Sequence, residues 1–204
     1  MPLQNRVDPF GELIADSARG TMLGNRGGRF HRGDRTLGRR RWASRQWICC
    51  LLEFKGRHRD VWGNGYTELF FLDEVTAFAA GHRPCFECRR WDAISFAGAW
   101  ARGRGERVHP RASEMDRVLH AERLDGRAKR RHRLAVDDLP DGTLLVLPDG
   151  AWAVRGESLL QWTPAGYGAR RSRPRGVAVD VLTPPAILAA LAAGYPPQWH
   201  SSEA

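Results

Sequence analysis

The stretch Gly81-His82-Arg83-Pro84-Cys85-Phe86-Glu87-Cys88-Arg89-Arg90 says most about how this chain is built. Cys85 and Cys88 stand three positions apart in a turn that begins at Pro84, and at this spacing both thiols can point at one metal ion. A redox dithiol is the competing interpretation, but such a motif would follow a βαβ pattern that the upstream residues lack. We therefore expect Cys85 and Cys88 to form half of a zinc site.

The other two cysteines, Cys49 and Cys50, lie upstream in a segment that predicts a strand over residues 47–55. Adjacent residues on a regular strand point to opposite faces, so only one of the two thiols can bind the same ion unless a bulge intervenes. We favour Cys50 as the third ligand, followed by Cys49, and either thiol could instead be a core residue. If only one binds, a histidine could be the fourth ligand; the candidates are His82, His58, His109, His120 and His132.

The composition indicates a globular intracellular protein. The chain has 204 residues, of which 42% are hydrophobic, and it contains no apolar run long enough to cross a membrane. Its first 19 residues carry acidic side chains and no apolar core, which is not typical of a signal peptide. We therefore expect a cytoplasmic protein with reduced thiols and no membrane association.

The charge of the chain points to nucleic acid. Its net charge is +9, and 11 basic residues face only 2 acidic ones between positions 26 and 59. A second basic segment covers 102–133, whereas 134–169 is acidic, so the positive charge lies on one region of the molecule only. We expect DNA as the partner; the candidate phosphate contacts are Arg26, Arg29, Arg39, Arg40, Arg41, Arg57, Arg59, Arg89 and Arg90.

The pattern of elements predicts an α+β fold. Residues 1–133 would form a first region, with an irregular basic arm over 1–45 and then a hairpin joining strands 47–55 and 66–72 through Gly63-Asn64-Gly65. Asp73 is a typical helix N-cap and Gly81 a typical stop, and further helices are expected over 89–100 and 113–124.

Residues 134–204 have a different character, and we expect them to form a second region. Short apolar segments separated by Asp-Gly and Arg-Gly pairs predict a small β-meander over 143–162, followed by a basic loop over 170–175 and another strand over 177–182. The Thr183-Pro184 pair predicts the start of a closing helix that ends at Gly194.

Residues 66–90 resemble the metal-binding domain of the bacterial Ada DNA-repair protein. The resemblance rests on Leu69-Phe70-Phe71-Leu72-Asp73 and on Ala79-Ala80-Gly81-His82-Arg83-Pro84-Cys85-Phe86-Glu87-Cys88-Arg89. It implies zinc held by four thiolates, one of which accepts a methyl group from a DNA phosphotriester. The family spaces its upstream pair as Cys-x-x-x-Cys, whereas Cys49 and Cys50 are adjacent here. If the chemistry is kept, the resemblance implies Cys49 or Cys50 as the acceptor.

Three functions are therefore expected from the sequence. The first is a zinc-binding protein that contacts nucleic acid through its arginines, in DNA repair. The second is a zinc-thiolate alkyl-accepting enzyme, and the third is a module in which zinc only stabilises a surface for another protein. The sequence contains no nucleotide-binding or serine-hydrolase motif that would add a different activity.

Overall fold

A computed structural model of the chain describes residues 1–57 and 60–204. Within these residues, six strands form the first sheet: β1 (Arg6–Val7), β2 (Leu13–Ile14), β3 (Met22–Arg26), β4 (Trp47–Leu51), β5 (Leu69–Phe71) and β6 (Arg83–Pro84). Their order across the sheet is β2-β1-β5-β3-β4-β6. β3 runs antiparallel to both of its neighbours, and the short β6 runs parallel to β4.

The second sheet of the described residues also has six strands, and a two-stranded hairpin precedes it. The hairpin consists of β7 (Leu124–Asp125) and β8 (Ala128–Lys129); the sheet consists of β9 (His132–Ala135), β10 (Leu144–Leu147), β11 (Gly150–Arg155), β12 (Ser158–Thr163), β13 (Gly166–Ser172) and β14 (Ala178–Val181). The sheet order is β13-β12-β11-β10-β14-β9. Consecutive antiparallel pairing of β10 to β13 confirms the predicted meander.

The helices found among the described residues follow the expected positions: α1 (Glu74–Ala79), α2 (Arg90–Gly103), α3 (Ala112–Arg123) and α4 (Pro185–Ala192). Short 3-10 turns cover Val136–Asp138 and Ser201–Glu203. The α+β class is thus confirmed. α1 begins at the predicted cap, because the Asp73 carboxylate accepts a hydrogen bond from the amide of Thr76, and it ends before Gly81, whose φ of +83° is left-handed.

The expected hairpin between strands 47–55 and 66–72 is wrong, because β3 lies between β4 and β5. β3 comes from the segment that the sequence predicts to be irregular. Its central residue, Gly24, looks like a strand breaker in the sequence, but a Cβ there would lie 2.2 Å from the Ile48 carbonyl oxygen. The glycine is required because the neighbouring backbone approaches closely, and the strand stays regular.

The predicted basic loop over 170–175 is partly wrong as well. Its first residues belong to β13, which pairs with β12 from Gly166 to Ser172. Most of β13 is exposed, so its sequence lacks the apolar alternation by which a half-buried strand is recognised.

Hydrophobic clusters connect the two sheets. α1 is buried along its whole length, and Leu72, Val75 and Ala79 pack against the second-sheet residues Leu144 and Leu160. A separate cluster joins α2, α3 and α4. The division into 1–133 and 134–204 stays a prediction, but residues on both sides of that boundary share one core.

Candidate metal centre

The alternation of β4 separates the two upstream cysteines. Cys50 packs with Leu23 and Cys85 on one face of the first sheet, whereas Cys49 packs with Met22 and Phe71 on the other. The strand is regular here, with Cys50 opposite Leu23 and Cys49 opposite Gly24 in the ladder to β3. The structure therefore brings Cys50, and not Cys49, to the downstream pair.

The downstream pair is held by a turn that is itself tied to β4. The amide of Cys85 donates a 2.9 Å hydrogen bond to the Cys49 carbonyl, which fixes the start of the turn beside the strand. The amide of Glu87 lies 3.4 Å from the Cys85 sulfur and donates to it, and the amide of Arg89 donates to the Cys85 carbonyl as the chain enters α2. An amide donor to sulfur, such as that of Glu87, stabilises a thiolate.

The sulfur atoms of Cys50, Cys85 and Cys88 lie within 4.8 Å of one another. Sulfur ligands at about 2.3 Å from a tetrahedral zinc ion are separated by about 3.8 Å, so sulfurs this close together can share one ion. The proximity of the thiols affects their acidity: hydrogen bonding from Cys50, followed by that from Cys88, lowers the pKa of Cys85, and the interaction with Cys85 raises the pKa of Cys50. The donor set suits a thiophilic ion such as zinc.

Among the described residues, these three cysteines are the group that could hold a metal. His82 is not near them: its ring is buried between Phe71 and Trp47, at centroid distances of 4.7 and 5.0 Å. His120 lies beside Arg123, and His132 contacts the carbonyl of Glu122, so neither belongs to the cluster. His109 lies against Gly98 of α2. His58 lies outside the described residues, and its role as fourth ligand stays a prediction.

Cys49 has a structural environment of its own. It is fully buried, and its sulfur lies 3.6 Å from a guanidinium nitrogen of Arg89. Burial raises the pKa of Cys49, so the group is a neutral thiol. Arg89 in turn pairs with Glu74 at 2.7 Å and with Asp92 at 2.9 Å. This position is a packed core position without access to solvent or to the other three sulfurs.

The structure divides the predicted phosphate contacts into three groups. Arg26 and Arg89 are 2% exposed, so neither presents its charge on the surface. Arg59 lies outside the described residues. The others reach solvent, Arg41 only in part: Arg29, Arg39, Arg40, Arg41, Arg57 and Arg90.

The exposed arginines do not form one continuous group. Arg57 pairs with Glu87 beside the cysteine cluster, which neutralises much of its charge. Arg39, Arg40 and Arg41 instead line an open cavity of about 420 Å³ together with Trp42 and Arg127. We name this group the basic vestibule. Arg127 was missed in the sequence because it comes from the β7–β8 turn, some 90 residues away; its guanidinium donates to the carbonyl of Arg39.

Comparisons with known proteins add no identification. No protein family matches the chain, and neither a curated protein nor a solved structure matches it significantly. The described residues contain no helix with the length and apolar character of a membrane span.

Proposed function

We propose that this is a cytoplasmic zinc-binding protein that contacts nucleic acid through its arginine-rich surface. The observation that carries the zinc assignment is the approach of the Cys50, Cys85 and Cys88 sulfurs to within 4.8 Å. In a reducing compartment, thiols held this close by a strand and a turn are typical of a structural metal site. The ion would hold β4 to the start of α2.

Metal analysis of single variants tests the zinc site. We expect about one zinc ion per chain in the parent protein, and loss of it in Cys50→Ser, Cys85→Ser and Cys88→Ser. Cys49→Ser is the matched control, since it makes the same chemical change one residue away from Cys50 and should keep the metal. His58→Ala tests one of the histidines that the sequence offers as a fourth ligand.

Two results would contradict the zinc assignment. One is a parent protein that contains no stoichiometric metal when it is prepared under reducing conditions without chelators. The other is equal metal loss in Cys49→Ser and Cys50→Ser when both variants stay folded by circular dichroism, which would overturn Cys50 as the one ligand supplied by β4.

The nucleic-acid contact in this proposal is supported by the basic vestibule. Arg39 and Arg40 are exposed and make no carboxylate ion pair among the described residues, so their charges are free to contact phosphates. Trp42 is partly exposed beside them and offers a ring on which an unpaired base could stack. The Ada resemblance makes DNA the expected nucleic acid, and repair the expected process.

A salt titration tests this contact. We expect labelled DNA to bind the parent protein with an affinity that falls steeply with salt, and Arg39→Gln/Arg40→Gln to reduce the slope of log affinity against log salt by about 2. Arg170→Gln/Arg175→Gln is the charge-matched control on β13 and the loop that follows it, where both side chains are exposed. Equal effects of the two double variants would mean that no local site exists and that only net charge matters.

The alkyl-acceptor alternative needs a thiolate that a DNA backbone can reach. Cys49 and Cys50, the acceptors that the Ada resemblance implies, are both buried, and Cys88 is the partly exposed member of the cluster. The burial of these two thiols thus favours a DNA-binding role over methyl transfer from DNA to the protein. Mass spectrometry of the protein after incubation with methylated DNA would detect a covalent product if the alternative holds.

A further inference from the structure

A cluster of buried cations surrounds Trp47, away from the cysteine site. The guanidinium carbon of Arg26 lies 4.0 Å from the Trp47 ring centroid, and that of Arg123 lies 3.8 Å from it. These two side chains are 2% and 0% exposed. The ammonium of Lys129, from β8, lines the same narrow cavity. We name Arg26, Arg123 and Lys129 the buried cation cluster.

The hydrogen bonds that the buried cation cluster donates go to uncharged acceptors only. Arg26 donates to the carbonyl of Gly11 at 2.8 Å, Arg123 donates to those of Gly81 and Arg45, and Lys129 donates to that of Ala79. Within residues 1–57 and 60–204, none of the three cations has a carboxylate within ion-pair distance. The Nε of Arg123 has no hydrogen-bond partner at all among these residues.

Two fully buried guanidinium groups and a half-buried ammonium held together without an anion are costly. Burial, followed by repulsion from Arg123 and Arg26, lowers the pKa of Lys129 to about 7. Burial also lowers the pKa of Arg26 and Arg123. The acidic groups that face the cluster are Asp8, Glu12 and Asp116; none forms an ion pair with it, and Asp116 is already paired with Arg83. A bound anion would supply the missing charge.

The cavity is built to admit a small group from solvent. Its inner end has a volume of only about 20 Å³, which holds one water-sized group such as a single phosphate oxygen. Arg41, Trp42 and Arg127 line this inner cavity and also the basic vestibule, so the two spaces adjoin along these side chains. A ligand could therefore place a compact anionic end among the buried cations and its remainder in the vestibule.

We propose that the buried cation cluster binds the terminal phosphate monoester of a nucleotide or an oligonucleotide strand. This inference rests on the proposed nucleic-acid function and makes it specific for a strand end. A monoester carries up to two negative charges and three free oxygens, so one oxygen can enter the inner cavity while the others face Arg41 and Arg127. A phosphodiester inside a strand carries only one charge and has two free oxygens, so it offers these cations less.

The test compares two short single-stranded DNAs of identical sequence, one with a 5′-phosphate and one with a 5′-hydroxyl, each labelled at the 3′ end. We expect the phosphorylated strand to bind the full chain about tenfold tighter or more, because it gains charge-assisted hydrogen bonds. Lys129→Met should abolish this preference. Arg130→Met, which changes the exposed neighbouring residue, should keep the preference for the phosphorylated DNA. Arg39→Gln/Arg40→Gln should also keep this preference, because it weakens the binding of both DNAs equally.

Thermal stabilisation by inorganic phosphate and by a nucleoside monophosphate separates the sources of the phosphate. If neither DNA binds but either small ligand raises the melting temperature in a Lys129-dependent manner, the phosphate site stands and the nucleic-acid proposal fails. If both DNAs bind equally and neither small ligand stabilises the protein, the nucleic-acid proposal stands and the phosphate site is overturned. Stabilisation that is the same in Lys129→Met overturns it too. If Lys129→Met does not fold, Lys129→Gln, which removes the charge but keeps a polar side chain, is measured in its place with the same expected loss.

Discussion

Lys129 is the residue of the buried cation cluster that titrates near neutral pH, because guanidinium groups stay protonated in proteins. Its pKa is about 7 in the folded chain, against an ordinary value of 10.5. Between these two values the unfolded chain binds more protons, so the free energy of unfolding should rise as the pH increases from about 7 towards 10. Lys129→Met should lack this rise, and Arg130→Met should retain it, in urea unfolding curves measured across the range. Parallel pH profiles for the parent and Lys129→Met would contradict the prediction.

Some residues of the metal site can be predicted from the sequence, whereas those of the buried cation cluster cannot. Strand alternation predicts that Cys49 and Cys50 cannot both join a regular metal site, because their faces differ. It cannot predict that Arg26 and Arg123 are buried, since arginines in a basic chain look alike until the fold is known. These two side chains come from β3 and α3, almost 100 residues apart, and meet only because both stack on Trp47.

Helix α1 depends on a buried acidic cap. The Asp73 carboxylate accepts hydrogen bonds from the amide and hydroxyl of Thr76, from the hydroxyl of Tyr167 and from the amide of His200. Tyr167→Phe removes one donor from this buried group and should lower the free energy of unfolding by about 1.5–3 kcal/mol. Tyr66→Phe is the matched control, because Tyr66 is 55% exposed and should change stability little. Chemical denaturation of both variants measures the difference, and equal stabilities would show that the Tyr167 hydroxyl contributes nothing.

The elements that could be predicted are those with local signals. The cap at Asp73, the stop at Gly81 and the Asp-Gly turns of the meander depend on residues close in sequence. The position of β3 between β4 and β5 depends on long-range pairing, and the expected Gly63-Asn64-Gly65 hairpin competes with it locally. The burial of β3 on both sides outweighs the turn signal, because a central strand gains ladder hydrogen bonds and packing along two edges.

The C-terminal tail connects the two sheets through the buried carboxylate of Glu74, at the start of α1. Glu74 pairs with Arg89, the residue before α2, and accepts hydrogen bonds from the hydroxyl of Tyr195 and from the amide of Gln198. The tail then continues to Glu203, which pairs with Arg155 of the second sheet. Because α1 also packs against both sheets, the loss of a contact at Glu74 should destabilise both of them.

Gln198→Pro tests this coupling, because proline lacks the amide that donates to Glu74. Leaving the buried carboxylate short of one donor should cost about 1–3 kcal/mol of unfolding free energy. Gln198→Ala removes the same side chain but keeps the amide, so it is the matched control. Hydrogen exchange at Leu23 in the first sheet and at Val154 in the second would show how far the effect spreads. We expect equal loss of protection at both amides in Gln198→Pro, because one shared core opens cooperatively. Loss confined to Val154 would instead mean that 1–133 and 134–204 unfold as separate domains.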